Sequence, residues 1–244
     1  MNKFLNLQSI NSTQRDQYID AIRIAFPPII GESPVIKKYW SKLEEYFPEH
    51  QILLISEDEE LIGFINTVPF YFEHELSHLP DRGWDWMFTK GITDFENSIH
   101  ANYLGGLQVI VRSKFQKQGY SKIILDHIKS TVPGSQFNNL TIPIRPTKKH
   151  EFPSIPMSEY IKLKNGEEVY DPWIRTHING GAKIIKVCEQ SMIMEGNVDF
   201  WETMLNQTIY KSGSYILSGA LSLISIDFEN DKGIYVEPNI WINY

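Results

Sequence analysis

Three groups of residues in this 244-residue chain have types and spacings that suit chemistry. The first is Gln116-Lys117-Gln118-Gly119-Tyr120-Ser121. Before it, Leu107, Val109 and Val111 alternate as in a strand; after it, Ile123, Ile124, Leu125 and Ile128 fall at helical spacing. A strand that runs through Gly119 straight into a helix leaves backbone N–H groups unpaired, with the positive end of the helix dipole behind them. Such a turn suits an anion, a pyrophosphate among them, and Lys114, Lys117 and Lys122 add positive charge. The second group is Asp171-Pro172-Trp173-Ile174-Arg175-Thr176-His177, closed by Gly180-Gly181. Asp171 is a cap, Pro172 belongs in a first helical turn, and the glycine pair stops the helix. His177 then sits near the helix end, where an imidazole can move a proton near neutral pH or simply anchor the helix to a neighbouring carbonyl. The third is His74-Glu75-Leu76-Ser77-His78, formally H-E-x-x-H. Zinc binding by that string needs a helix to bring the two imidazoles together. Pro69 before it, and Pro80 and Gly83 after it, argue for a solvated loop without metal.

These groups need elements to position them. Asn11 to Gln14 caps a helix that carries Tyr18, Ile19, Ile22 and Phe26 and stops at Pro27-Pro28; a second helix spans about Ser33 to Tyr46. Gln51 to Ser56 and Leu61 to Val68 form a hairpin around the acidic turn Glu57 to Glu60. Phe72 to His100 reads as a loop, in which Trp84-Asp85-Trp86 could wall a pocket or join the core. Leu140, Ile142 and Ile144 alternate in a strand from Asn139 to Ile144, and Arg145 and Thr147 leave its end, where ligands of open sheets tend to lie. Further along we expect a short helix at Ser158 to Lys162, a strand at Ile184 to Val187, a helix at Val198 to Met204, strands at Tyr215 to Leu217 and Ala220 to Ile226, and an aromatic-rich end.

Composition sets the outer bounds. A hydrophobic content of 42% supplies a packed core, and the net charge of -7 with no basic run argues against nucleic acid or an anionic membrane as partner. The single Cys188 excludes an intrachain disulfide framework; with no signal-like or membrane-spanning apolar run, the expected location is cytoplasmic. Cys188 itself reads as a small buried hydrophobe.

Gln116-x-x-Gly119-x-Ser121, set between its strand and its helix, resembles the acetyl-CoA signature Gln/Arg-x-x-Gly-x-Gly/Ala of the GCN5-related N-acetyltransferase (GNAT) superfamily, with Ser in the last place. The run from Asp171 to Ala182 resembles the second signature of that superfamily, with His177 where a tyrosine often protonates the leaving thiolate and Ala182 in place of Phe. The resemblance implies an α/β (α+β) fold with a mixed, mostly antiparallel central sheet, splayed central strands and helices on both faces. It implies one domain over 1–244, with inserted loops at about 70–100 and 145–170 and a C-terminal extension at about 192–244.

The co-substrate it implies is acetyl-CoA (coenzyme A), with no metal, and the partner an amine-bearing small molecule. The backbone of Val109, Ile110 and Val111 would polarise the thioester carbonyl, Gln116, Lys117, Gln118, Gly119, Tyr120 and Ser121 would hold the pyrophosphate, and His177 would protonate sulfur. Trp84, Arg145 and Thr147 would meet the substrate, and Glu73, Glu75 and Glu96 are candidate bases by nearness in sequence. The form Asp-Pro-x-Ile-Arg-x-His is also similar to GNAT-like domains of polyketide synthase loading modules. That resemblance implies, as a rival, a decarboxylase or S-acyltransferase fed by CoA or an acyl carrier protein. A non-catalytic acyl-CoA-binding module is the third reading.

Overall fold

The computed structural model describes residues 2–244. An edge strand β1 (Lys3–Asn6) leads to α1 (Ser12–Ala25), which Asn11 and Gln14 start with a reciprocal capping box. Pro27 and Pro28 break that helix into the one-turn α2 (Pro28–Gly31), and the Ser33 hydroxyl caps α3 (Pro34–Tyr46). The hairpin β2 (Gln51–Ile55) and β3 (Leu61–Phe70) follows as expected.

The loop expected between Phe72 and His100 is corrected. Gly83 to Glu96 forms a helix, α4 (Gly83–Glu96), with Trp84, Met87, Phe88 and Ile92 buried along one face. Their spacing is helical; Pro80 and Gly83 introduce this helix rather than forbidding one. Gly91 lets it close on β3, because a Cβ there would meet Val68 Cγ2 at 2.2 Å.

β4 (Tyr103–Val111) and α5 (Tyr120–Thr131) bracket the signature turn, and β5 (Leu140–Ile144) follows. The one-turn α6 (Met157–Tyr160) and the small hairpin β6 (Lys164–Asn165) and β7 (Glu168–Val169) lead into α7 (Pro172–Asn179). The strand expected at 184–187 is longer, β8 (Lys183–Gly196). Then come α8 (Val198–Leu205), β9 (Gly213–Tyr215), β10 (Ile224–Asp227) and β11 (Lys232–Asn243). Residues 217–223, expected partly as strand, are turns instead.

The sheet order is β1-β2-β3-β4-β5-β11-β10-β9, with β8 also on β11. Within it, β4 and β5 are the parallel pair. They match only at Leu104–Leu140 and Gly105–Thr141 and then separate. Pro143 on β5 has no N–H to offer a second neighbour, so it sits where β4 has already diverged. Consecutive residues face opposite layers: Leu53 and Phe64 pack under α1, whereas Leu54 and Ile65 pack with Ile124 and Ile128 of α5. Helices therefore cover both faces, and the gap between β4 and β5 opens between them.

Candidate active site

One cavity of about 1120 Å³ runs along that gap. At one end lies the turn before α5. Lys117 (φ 61) and Gly119 (φ 83) both adopt left-handed backbone, which glycine accepts without strain. The N–H groups from Lys117 to Ser121 have no acceptor among the described residues. Gln116 folds its amide back to Val111 O (3.0 Å) and Gln118 to Lys114 O (3.1 Å), so both amides help to hold the turn. Of the six residues expected there, Gln116, Lys117, Gly119, Tyr120 and Ser121 line the cavity and Gln118 does not. A Cβ on Gly119 would meet nothing within 4 Å, so the space over it is open. This donor set fits a phosphate-bearing arm.

β4 forms the next stretch of wall. Its pairing with β3 skips Leu107, which is a bulge between Gly106–Thr67 and Gln108–Asn66. Two side chains fix the bulge. The indole N–H of Trp84 donates to Leu107 O (2.8 Å), and Gln108 Nε2 donates to Asn66 Oδ1 (2.8 Å). Trp84 thus lines the cavity with its ring while its one donor is spent on the backbone. Arg112 N–H donates to Ile62 O, and bonded residues alternate along an antiparallel pair. Ile110 is therefore turned to β3, and Val109 and Val111 present their N–H groups to the splay. The expectation that Ile110 offers its N–H there is corrected by this alternation.

Beyond β4, α7 brings Trp173 and His177 into the wall, their rings 4.3 Å apart. Asp171 builds this helix as expected: one carboxylate oxygen caps Trp173 and Ile174 N–H, and the other accepts from Lys148 N–H and the Tyr160 hydroxyl. His177 is buried. Its Nδ1 is 2.7 Å from the hydroxyl of Tyr244, and its Nε2 has no partner. Burial, with the Lys129 ammonium nearby, pulls its pKa down to about 3, so the ring is neutral and does not titrate near pH 7. Burial, with Asp126 nearby, holds the Tyr244 hydroxyl protonated.

The far end is polar and was not legible in the sequence. Between Glu237–Met192 and Asn239–Cys188, the β11–β8 ladder sets Glu189, Gln190 and Ser191 against Pro238 alone. Proline cannot continue the ladder, and β8 bulges. The bulge turns Ser191 inward, where its hydroxyl donates to Asn239 Oδ1 (2.6 Å) and accepts Trp84 N–H (2.8 Å). Asn239 Nδ2 donates to Pro238 O (2.9 Å) and reaches Glu237 Oε1 at 3.5 Å. Glu237 is fully buried and takes the Tyr235 hydroxyl at 2.8 Å and Arg145 Nε at 3.0 and 3.1 Å. Arg145 Nη2 donates to Gly219 O (2.6 Å). Among the described residues lining the cavity, Glu237 is the one carboxylate. Thr147 is on the rim, exposed, its carbonyl bonded to His150 Nδ1 (2.9 Å).

Glu73, Glu75 and Glu96 lie outside the cavity wall. Glu73 is exposed beside His74, and Glu96 pairs with Lys42. His74 and His78 meet edge-on at 6.3 Å around a 3₁₀ turn (Leu76–His78), not on a helix. Cys188 is buried, its thiol pushed up to about 12 by desolvation.

A splayed mixed sheet carries one cavity with unpaired backbone donors at one end and a polar pocket at the other. No family model matches the chain. It is 30% identical to the arginine N-acetyltransferase avaD of Aspergillus versicolor, over 89% of this chain and 84% of that protein. The chain belongs to the GCN5-related N-acetyltransferase superfamily. The loading GNATL domain of CurA from Lyngbya majuscula has the same fold, with a TM-score of 0.59 at 17% identity over 100% of this chain and 97% of that one. Arabidopsis thaliana NAA60, solved with acetyl-CoA, aligns with a TM-score of 0.46 at 13% identity over 100% and 98%.

Proposed function

We propose that this protein transfers an acetyl group from acetyl-CoA to an amine of a small cationic molecule, by direct attack in a ternary complex. The similarity to an arginine N-acetyltransferase makes arginine the first acceptor to test. The observation that carries the reading is that one cavity joins the unpaired N–H groups at Lys117–Ser121, the free edge of β4 and the Arg145–Glu237 pocket.

The donor's pyrophosphate would accept from the Lys117–Ser121 N–H groups at the α5 N-terminus. The thioester carbonyl would take Val109 or Val111 N–H, which needs no reorganisation as charge develops. Tyr244 O–H has no acceptor other than His177 Nδ1 among the described residues. A hydroxyl that donates to Nδ1 leaves the ring proton on Nε2. His177 would then offer a neutral N–H to the departing sulfur, steadying the thiolate by a hydrogen bond rather than acting as an imidazolium acid.

Calorimetric titration with acetyl-CoA tests the donor site. Wild type should bind with micromolar affinity (about -8 kcal/mol), and Gly119→Trp should not, because residue 119 is left-handed and covers the turn. Binding that survives the substitution would move the donor elsewhere. Release of CO₂ from malonyl-CoA without an amine would replace N-acetylation by decarboxylation.

A further inference from the structure

We infer that the acceptor is recognised through a free carboxylate, held by Arg145. This rests on the N-acetyltransferase reading and names its acceptor class: an amino acid, with arginine as the probe, rather than a simple amine.

The argument starts from hydrogen-bond capacity. A guanidinium has five N–H donors in a planar fork. In Arg145 the Nε donor goes to Glu237 and one Nη2 donor to Gly219 O. Three therefore remain, and none has an acceptor among the described residues. Yet this side chain is only 19% exposed and lines the cavity. These donors open onto the cavity, where a ligand can take them in place of water. A carboxylate matches the fork geometrically and bonds it with both oxygens.

The pair itself also asks for a role. A buried ion pair seldom stabilises a fold better than apolar packing of the same volume. Three neighbours fix the pair from behind: Tyr235 bonds Glu237 at 2.8 Å, Leu221 N–H in turn bonds the Tyr235 hydroxyl at 2.8 Å, and Gly219 O holds Nη2. Gly219 is held close: its φ is +80, and a Cβ would meet Pro27 Cγ at 2.6 Å. The guanidinium is thus preorganised, with Glu237 neutralising it. What the pair presents to the cavity is the free side of the guanidinium. The substrate carboxylate falls to the unspent donors of Arg145, while Glu237, fully buried and already bonded to Tyr235 and Arg145, holds the guanidinium in place.

The test compares arginine, arginine methyl ester and agmatine as acceptors at saturating acetyl-CoA. These differ in having the carboxylate, masking it and lacking it. The wild type should prefer arginine at least tenfold in kcat/KM, expressed mostly as a lower KM. In Arg145→Met the ratio of arginine to agmatine should fall to near one, and Arg145→Lys should restore only part of it. Equal kcat/KM for the three acceptors in the wild type would overturn the inference while leaving N-acetylation standing. So would an arginine preference that persists in Arg145→Met. Failure to acetylate any of the three, with acetyl-CoA bound, would instead bring down the acceptor reading itself. The wild-type comparison needs no variant, so it decides the question even if Arg145→Met, which strands the Glu237 charge, does not fold.

Discussion

At the scale of single residues, the site depends on which atoms are already spent. Trp84 has committed its N–H to Leu107 O, and Gln116 its amide to Val111 O, whereas His177 Nε2 and three donors of Arg145 have no partner among the described residues. Tyr244 matters because its hydroxyl decides which nitrogen of His177 carries the proton. Tyr244→Phe should lower kcat with acetyl-CoA about tenfold and leave the KM for acetyl-CoA within about twofold; one lost charge-stabilising hydrogen bond is worth roughly 1.5 kcal/mol. An acetyl thioester of an aryl thiol, whose thiolate departs unaided, should show almost no loss. Equal losses on both donors would make the contact structural. Because His177 is neutral over the working range, the wild-type rate should show no inflection near pH 6.5 that disappears in His177→Gln.

At the scale of elements, α4 links the sheet to the polar end of the cavity. Trp84 and Asp85, in its first turn, reach the β4 bulge and β8. Asp85 accepts Ile193 N–H and Arg82 through Oδ2, while Oδ1 is buried without a partner. Burial raises its pKa from 3.8 to about 6, against the lowering effect of those two bonds. The sign follows directly. Between about pH 4 and 6 the folded protein holds a proton that the unfolded chain has released, so stability falls as pH rises through that window. The full change is about 2–3 kcal/mol. Urea unfolding of Asp85→Asn beside wild type, from pH 4 to 7, should show the variant lacking this downward step. An unchanged step would assign it to another group.

At the scale of the whole molecule, the cavity runs along the gap where β4 and β5 separate, so a ligand that bridges β4, α5 and α7 and binds only the folded state should stabilise the fold by mass action. At 100 times its Kd, acetyl-CoA should add about 2.7 kcal/mol. For a domain of this size that is roughly 5–10 °C in Tm. Differential scanning with graded acetyl-CoA checks it; a Tm independent of concentration would mean that the cavity does not take the donor. No helix among the described residues is long and apolar enough to cross a membrane.

The sequence by itself determined what local rules govern. Gly119 between a period-2 run and a helical run, and Asp171-Pro172 before Gly180-Gly181, needed only neighbouring residues to be read, and the fold builds both as read. The hairpin at 51–70 was legible for the same reason. Helix α4 was masked because Pro80 and Gly83 look like breakers, although Trp84, Met87, Phe88 and Ile92 already carried the helical spacing. What only the tertiary structure decided was the polar pocket around Arg145 and Glu237. Glu237 and Asn239 occupy an apolar-looking terminal run, and their meaning appears once Pro238 forces the β8 bulge and Arg145 arrives from 92 positions away. The titration of His177 was decided there too. Its ordinary pKa belongs to the residue type, but the drop to about 3 belongs to the buried wall in which α7 places it, with the Lys129 ammonium nearby.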